Sequence, residues 1–219
     1  MAHKTFEMDE EDYAYFQTIA ARESSELKAI RDEMLTMARG NIAISPEQGQ
    51  FLSFFIKAIG AKNILELGLY AGYSALWMAE ALPSDGKLIT IDINDAHLPL
   101  ARKYWEAAGV TDRIQFRLGD AIDITKKYIE EKKEFDFIFV DADKGNYLEY
   151  LKLTLQLLSA NGVAAFDNTL WFGRSVAKDD GSSMVATVRE LNKFISQDDS
   201  LDFSVLTVGG GLTLLRKKS

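Results

Sequence analysis

Phe135–Tyr147 reads Phe-Asp-Phe-Ile-Phe-Val-Asp-Ala-Asp-Lys-Gly-Asn-Tyr. The apolar run Phe137–Val140 stops abruptly at Asp141, Asp143 and Lys144. A run this short, rich in aromatic and β-branched residues, is the pattern of a strand buried on both faces of a parallel sheet. Open parallel sheets bind ligands beyond the carboxyl ends of their strands, so two carboxylates and a lysine at such an end are where chemistry is expected. A second apolar run, Val163–Phe166, ends the same way, at Asp167-Asn168. If the two strands are neighbours, Asp141, Asp167 and Asn168 converge on one point.

Working outward, short apolar runs alternate with helical patterns. Strands are predicted at Ile64–Leu67, Lys87–Ile91, Arg113–Leu118 and Gly162–Phe166, besides the opening stretch. Between them lie helices ending near Leu82, Ala108 and Lys132, and one over Gly145–Leu158. Asn94 is read as the cap of the second of these, and Gly109 as its stop. A further helix covers Ser182–Ser196. Phe203–Val208 and Leu212–Arg216 flank Gly209–Gly211 and read as a hairpin. Five strand–helix alternations predict a doubly wound α/β fold, mostly parallel, with an antiparallel C-terminal hairpin closing a seven-stranded sheet.

Ahead of the first strand, residues 9–39 carry apolar positions at helical spacing in two segments joined near Arg22–Ser25, the second closed by Gly40-Asn41. Ser45-Pro46-Glu47-Gln48 reads as a helix start with a capping box, leading to about Ile59. No repeat, low-complexity tract or linker interrupts the chain. Residues 1–219 are therefore read as one domain, with 1–60 forming a helical lid or dimer contact.

Composition narrows the function. The 219 residues carry a net charge of −8, which disfavours a nucleic-acid-binding surface. With no cysteine, disulfides, thiolate metal sites and cysteine nucleophiles are excluded. The two histidines, His3 and His97, leave little room for a serine–histidine triad. No apolar run reaches transmembrane length and no leader pattern opens the sequence, so a cytoplasmic location is expected.

Glu66-Leu-Gly68-x-x-x-Gly72-Tyr-Ser74 lies between a strand and a helix. Its glycines allow a tight turn and close approach of a ligand to the main chain, but the spacing is not the G-x-G-x-x-G dinucleotide fingerprint. Asp92 ends the next strand, where an acidic side chain suits the hydroxyls of a ribose. An adenosine-type cofactor is the reading that joins these features. Asp141, Asp167 and Asn168 offer three oxygen ligands without His or Cys, a set for a hard cation: Mg²⁺ first, with Mn²⁺ or Ca²⁺ as alternatives. Beside such a cation the neutral amine of Lys144 is favoured, which makes it a candidate base for a hydroxyl. Trp171-Phe172, in the following loop, would wall an apolar pocket.

These motifs together resemble the cation-dependent class I O-methyltransferases, the group that contains catechol and caffeoyl-coenzyme A O-methyltransferases. The matching segments are Ile44–Phe51, Leu65–Ser74, Thr90–Ile93, Leu118–Ala121, Phe139–Tyr147 and Phe166–Trp171. The resemblance implies a Rossmann-like fold and S-adenosylmethionine as methyl donor. Ile44, Glu66, Gly68, Leu69 and Ser74 would surround its amino-acid portion, Asp92 its ribose and Ala121 its adenine, with Asp141 and Asp143 also facing it. Asp141, Asp167 and Asn168 match the family's metal ligands, and Lys144 its catalytic lysine. Asp141 and Lys144 would then carry catalysis, and Trp171, Lys144 and Asn168 would meet a small phenolic substrate. A homodimer is implied as well.

Coenzyme A-ester members of that group carry asparagine after the loop tryptophan and an Arg/Tyr-rich insertion further on. Here Phe172 takes the asparagine's place and the segment 174–189 is short and lacks those tyrosines. A free catechol, caffeic acid or a flavonoid-like polyphenol is therefore the expected acceptor. The alternatives weighed are methylation of a hydroxylated uridine in tRNA and an inactive cofactor-binding interaction protein.

Overall fold

The structure is a computed structural model and describes residues 8–170, 176–178 and 181–218. Its sheet runs β3-β2-β1-β4-β5-β7-β6, with β1 Asn63–Leu67, β2 Lys87–Asp92, β3 Ile114–Leu118, β4 Phe135–Val140, β5 Leu158–Phe166, β6 Leu201–Leu206 and β7 Leu212–Lys217. The first five strands pair in parallel, and β7 pairs antiparallel with both β5 and β6. The predicted seven-stranded fold class is the one observed.

Both faces of the sheet are covered, which is why its central strands are apolar without alternation. Ile64, Phe137, Phe139 and Ala165 point into one core with residues of α2 (Ser25–Leu35), α3 (Pro46–Ile59), α4 (Tyr73–Ala81) and α5 (Leu98–Ala107). Leu65, Leu67, Ile138, Val140 and Phe166 point the other way, toward α6 (Ala121–Glu130), α7 (Tyr147–Leu157) and α8 (Ser183–Gln197). The order of strands reverses between β1 and β4. The ends of those two strands therefore form the crevice in which this architecture binds ligands.

Several local expectations are corrected. The second N-terminal helix, α2, ends at Leu35 and not at Gly40-Asn41, which belong to a short 3₁₀ turn, Gly40–Ile42. Gly40 serves close approach instead: a Cβ there would lie 2.0 Å from the Met34 carbonyl oxygen. No capping box forms at Ser45, because the Gln48 side chain is drawn into the protein to meet Asp167. Asn94 does not cap α5; it accepts from the Ala96 amide in a local turn, and α5 starts at Leu98, with Pro99 in its first turn. The helix predicted over Gly145–Leu158 is a 3₁₀ turn, Lys144–Asn146, followed by α7, and Leu158 already belongs to β5.

The first helix, α1 (Glu10–Ile19), starts at an Asp9 cap and buries none of its residues. Tyr15, Ile19 and, from α3, Phe54 are 66%, 64% and 67% exposed.

Candidate active site

Main-chain bonds carry the strand order past the strand ends. Gly68 donates to the Ile91 carbonyl, Asp141 to that of Leu67 and Asp167 to that of Val140, at 2.9, 2.9 and 3.0 Å. Glycine loop and acidic residues therefore meet at one level because the ladder places them there. Gly68 has a φ of +98°, and a Cβ on it would stand 2.3 Å from the Asp141 carbonyl oxygen. That position must be glycine for conformation and for space alike. Tyr70 in the same loop and Asn168 after β5 also have positive φ, 49° and 56°. Asparagine tolerates this region; a tyrosine held there is backbone strain of the kind that collects at functional sites.

Two adjoining cavities open here, of about 180 and 490 Å³, sharing Ile42, Gly68, Tyr70, Asp141 and Ala142. The smaller is lined by Ile44, Leu69, Ser74, Lys144 and Asn168 as well. The larger takes in Asp92, Asp120, Ala121, Asp143 and Tyr150. Glu66 excepted, the two halves of the predicted cofactor set thus line two halves of one cleft.

Glu66 and Asp167 lie deeper. Glu66 is fully buried, and the hydroxyls of Ser74 and Thr90 donate to its two oxygens, each at 2.5 Å. Burial pushes its carboxyl up to about 8, against the pull of those two hydroxyls. Asp92 is engaged with the glycine loop: Oδ2 accepts the amides of Leu69 and Tyr70, and Oδ1 that of Asn94. A carboxylate has room for about four donors, so hydroxyls of a ligand can still be met.

At the heart of the cleft Lys144 is only 3% exposed and donates to Asp141 Oδ1 at 2.6 Å. The lysine also donates to the Tyr147 hydroxyl at 2.5 Å, which in turn donates to the Asp167 carbonyl at 2.9 Å. Asp167 is nearly enclosed and accepts from Gln48 Nε2 at 2.7 Å. Its carboxyl is pushed up to about 7 by burial and by the neighbouring charge of Asp141, while Lys144 and Gln48 pull it down. Burial raises the Tyr147 phenol too, so it stays protonated as a donor.

Sequence reasoning missed Tyr147 and Gln48. Tyr147 stands three residues after Lys144, a spacing that brings side chains together on a helical turn. Gln48 could not have been found, because its partner is 119 positions away. Trp171 lies outside the described residues, as does Phe172. Among the described residues no group of three or more His, Cys, Asp or Glu side chains is placed so that it could hold a metal ion. The predicted ligand set contains two acids and an amide.

The sequence model of one family, described as O-methyltransferase, matches residues 17–218. The chain belongs to the O-methyltransferase family. It is 38% identical over 227 residues to a caffeoyl-CoA O-methyltransferase of Eucalyptus gunnii, covering 99% of this chain and 91% of that one. A caffeoyl-CoA O-methyltransferase 1 of Eucalyptus globulus is 40% identical over 210 residues, covering 92% and 85%. Among solved structures, an O-methyltransferase from Bacillus cereus in complex with SAH aligns with a TM-score of 0.84 at 30% identity, over 94% of this chain and 96% of that one. The O-methyltransferase TomG from Streptomyces achromogenes, in complex with SAM, also gives 0.84, at 28% identity, over 97% and 100%. This O-methyltransferase is therefore like its relatives over nearly its whole length.

Proposed function

We propose that this O-methyltransferase moves the methyl group of S-adenosylmethionine to one hydroxyl of a vicinal-diol aromatic, with a divalent cation, Mg²⁺ before Mn²⁺ or Ca²⁺, held by Asp141, Asp167 and Asn168. The observation that carries the reading is the junction of a glycine-loop cleft with a buried Lys144–Asp141 pair at the ends of β1 and β4. The donor set fits a hard cation: two carboxylates and an amide, one carboxylate raised by burial and by the charge of the other, a strain that a cation relieves. When bound, the cation lowers the acidity barrier of the acceptor's hydroxyls and orients both of them.

This chain's residues supply the rest. The cleft holds the donor with its methionine half between Ile44 and Ser74 and its adenosine half between Asp92 and Ala121. Lys144 is the base that takes the proton of the reacting hydroxyl, and Asp141 and Tyr147 keep Nζ in place. The oxygen then attacks the methyl carbon: an O–C bond forms, the C–S bond breaks, and its electron pair returns to sulfur. Positioning and electrostatics account for most of the acceleration. Phe172, in place of asparagine, and the short following segment support a free catechol or polyphenol over a coenzyme A thioester. The bare apolar positions of α1 and Phe54 support a homodimer, in which a second copy covers them. No described helix is long and apolar enough to cross a membrane, in keeping with work on a diffusible phenol in the cytoplasm.

The test is methyl transfer to caffeic acid and to caffeoyl-coenzyme A, with Mg²⁺ and with EDTA, for wild type, Asp141→Ala and Lys144→Met. Product from caffeic acid should vanish with EDTA and with Asp141→Ala, and kcat should fall about 10²–10⁴-fold in Lys144→Met. Turnover that persists in EDTA refutes the cation; equal or better turnover of the thioester refutes the acceptor.

A further inference from the structure

The amide of Gln48 reaches from α3 to the residue that follows β5, and nothing in the reaction as described uses it. Gln48 is 1% exposed. Its Nε2 donates to Asp167 Oδ1 at 2.7 Å. Oε1 then faces the turn between β6 and β7, where a Cβ added to Gly209 would fall 2.1 Å from it. Gly209 has a φ of +55°. The hairpin turn thus stands directly behind the glutamine and leaves it no room to withdraw. The nearby Ser45 hydroxyl, buried and without a partner among the described residues, does not compete for the amide.

We propose that Gln48, braced by Gly209, is a positioning residue that orients Asp167 toward the divalent cation, an inference that rests on the metal reading above. Three other contacts leave Asp167 little freedom of backbone: its N–H donates to Val140, its carbonyl accepts from Tyr147, and it follows directly on β5. The rotation of its carboxylate remains to be set, and beside the Asn168 amide it is Gln48 that sets it, by committing Oδ1. A neutral N–H donor also favours the ionised carboxylate without adding a charge to the pocket. Partners that orient metal ligands in this way typically account for 10–100-fold in metal affinity.

The experiment is a titration of the whole protein with Mn²⁺ alone, followed by electron paramagnetic resonance, with S-adenosylhomocysteine affinity and thermal midpoint measured alongside. Gln48→Met keeps the length and packing of the side chain and removes the donor. It should weaken Mn²⁺ binding about 10–100-fold and change the bound-ion spectrum, with S-adenosylhomocysteine affinity unchanged. Gly209→Ala should do the same by displacing Gln48, and it decides the matter if Gln48→Met does not fold. Wild-type Mn²⁺ affinity in either folded variant, with binding lost in Asp167→Asn, overturns the role of Gln48 and leaves the metal site standing. Unchanged Mn²⁺ binding in Asp167→Asn and Asp141→Ala overturns the metal site itself.

Discussion

Glu66→Gln should flatten the pH dependence of stability in this protein. Glu66 is fully enclosed under the glycine loop, and its carboxyl is raised from an ordinary 4.5 to about 8, chiefly by burial. Between those two values the folded chain keeps the proton and the unfolded chain releases it. The unfolded state then binds fewer protons, so stability falls as pH rises from about 4.5 to about 8 and levels off above. Across the whole window the loss is on the order of 5 kcal/mol. Glutamine has the shape of the protonated acid, offers one acceptor and donors to Ser74 and Thr90, and does not titrate. Denaturant unfolding of wild type and Glu66→Gln, without ligand, would be followed at pH 5 and at pH 8.5. All other groups titrate alike in both proteins, so the difference between them isolates Glu66. The variant should gain on wild type by several kcal/mol between the two conditions. A gap between the two proteins that is the same at both pH values would refute the reasoning, because it would mean that Glu66 ionises as readily in the fold as outside it.

Two further outcomes are expected. Gly68→Ala must hold an L residue at a φ of +98° with its Cβ 2.3 Å from the Asp141 carbonyl oxygen, so β1 and β4 have to part at the site. A loss of about 2–4 kcal/mol in unfolding free energy together with loss of S-adenosylhomocysteine binding by calorimetry should follow; a variant that binds normally would show the loop to be tolerant. If the proposed homodimer forms through these positions, charged residues at Ile19 and Phe54 should convert it to monomer in sedimentation at micromolar concentration; a sedimentation coefficient equal to that of wild type would refute that contact.

How much of the site was legible depended on the range of the interaction. Asp141, Lys144, Asp167 and Asn168 could be read because a buried parallel strand is an apolar run, and a polar residue that ends such a run is delivered to the ligand crevice. Their convergence followed from two strands being neighbours, as β4 and β5 are. Asp92 could be read by the same logic, as the acidic end of β2, and it lines the larger half of the cleft; Ala121, which lines that half too, came from the family resemblance. Where the reading failed, a distant partner had overruled a local preference. Gln48 has the spacing of a capping box, yet a buried carboxylate is a stronger claim on its amide than an exposed helix end. Asn94 yielded because Pro99 suits the first turn of a helix and set the start of α5 near itself.

By itself, then, the order of apolar runs, glycines and acids determined the class of fold, the end of the sheet at which the cleft opens, and Gly68, Asp92, Asp141 and Lys144 among the residues that line it. Those are consequences of period and of chain connectivity, which are local properties. Only the tertiary structure decided that Lys144 is buried against Asp141 and Tyr147, that Glu66 is sealed beneath the loop, and that Gln48 reaches Asp167 with Gly209 at its back. Burial and hydrogen bonding between residues far apart in the chain exist only once the layers have packed, and it is burial that sets the charge states on which the site depends.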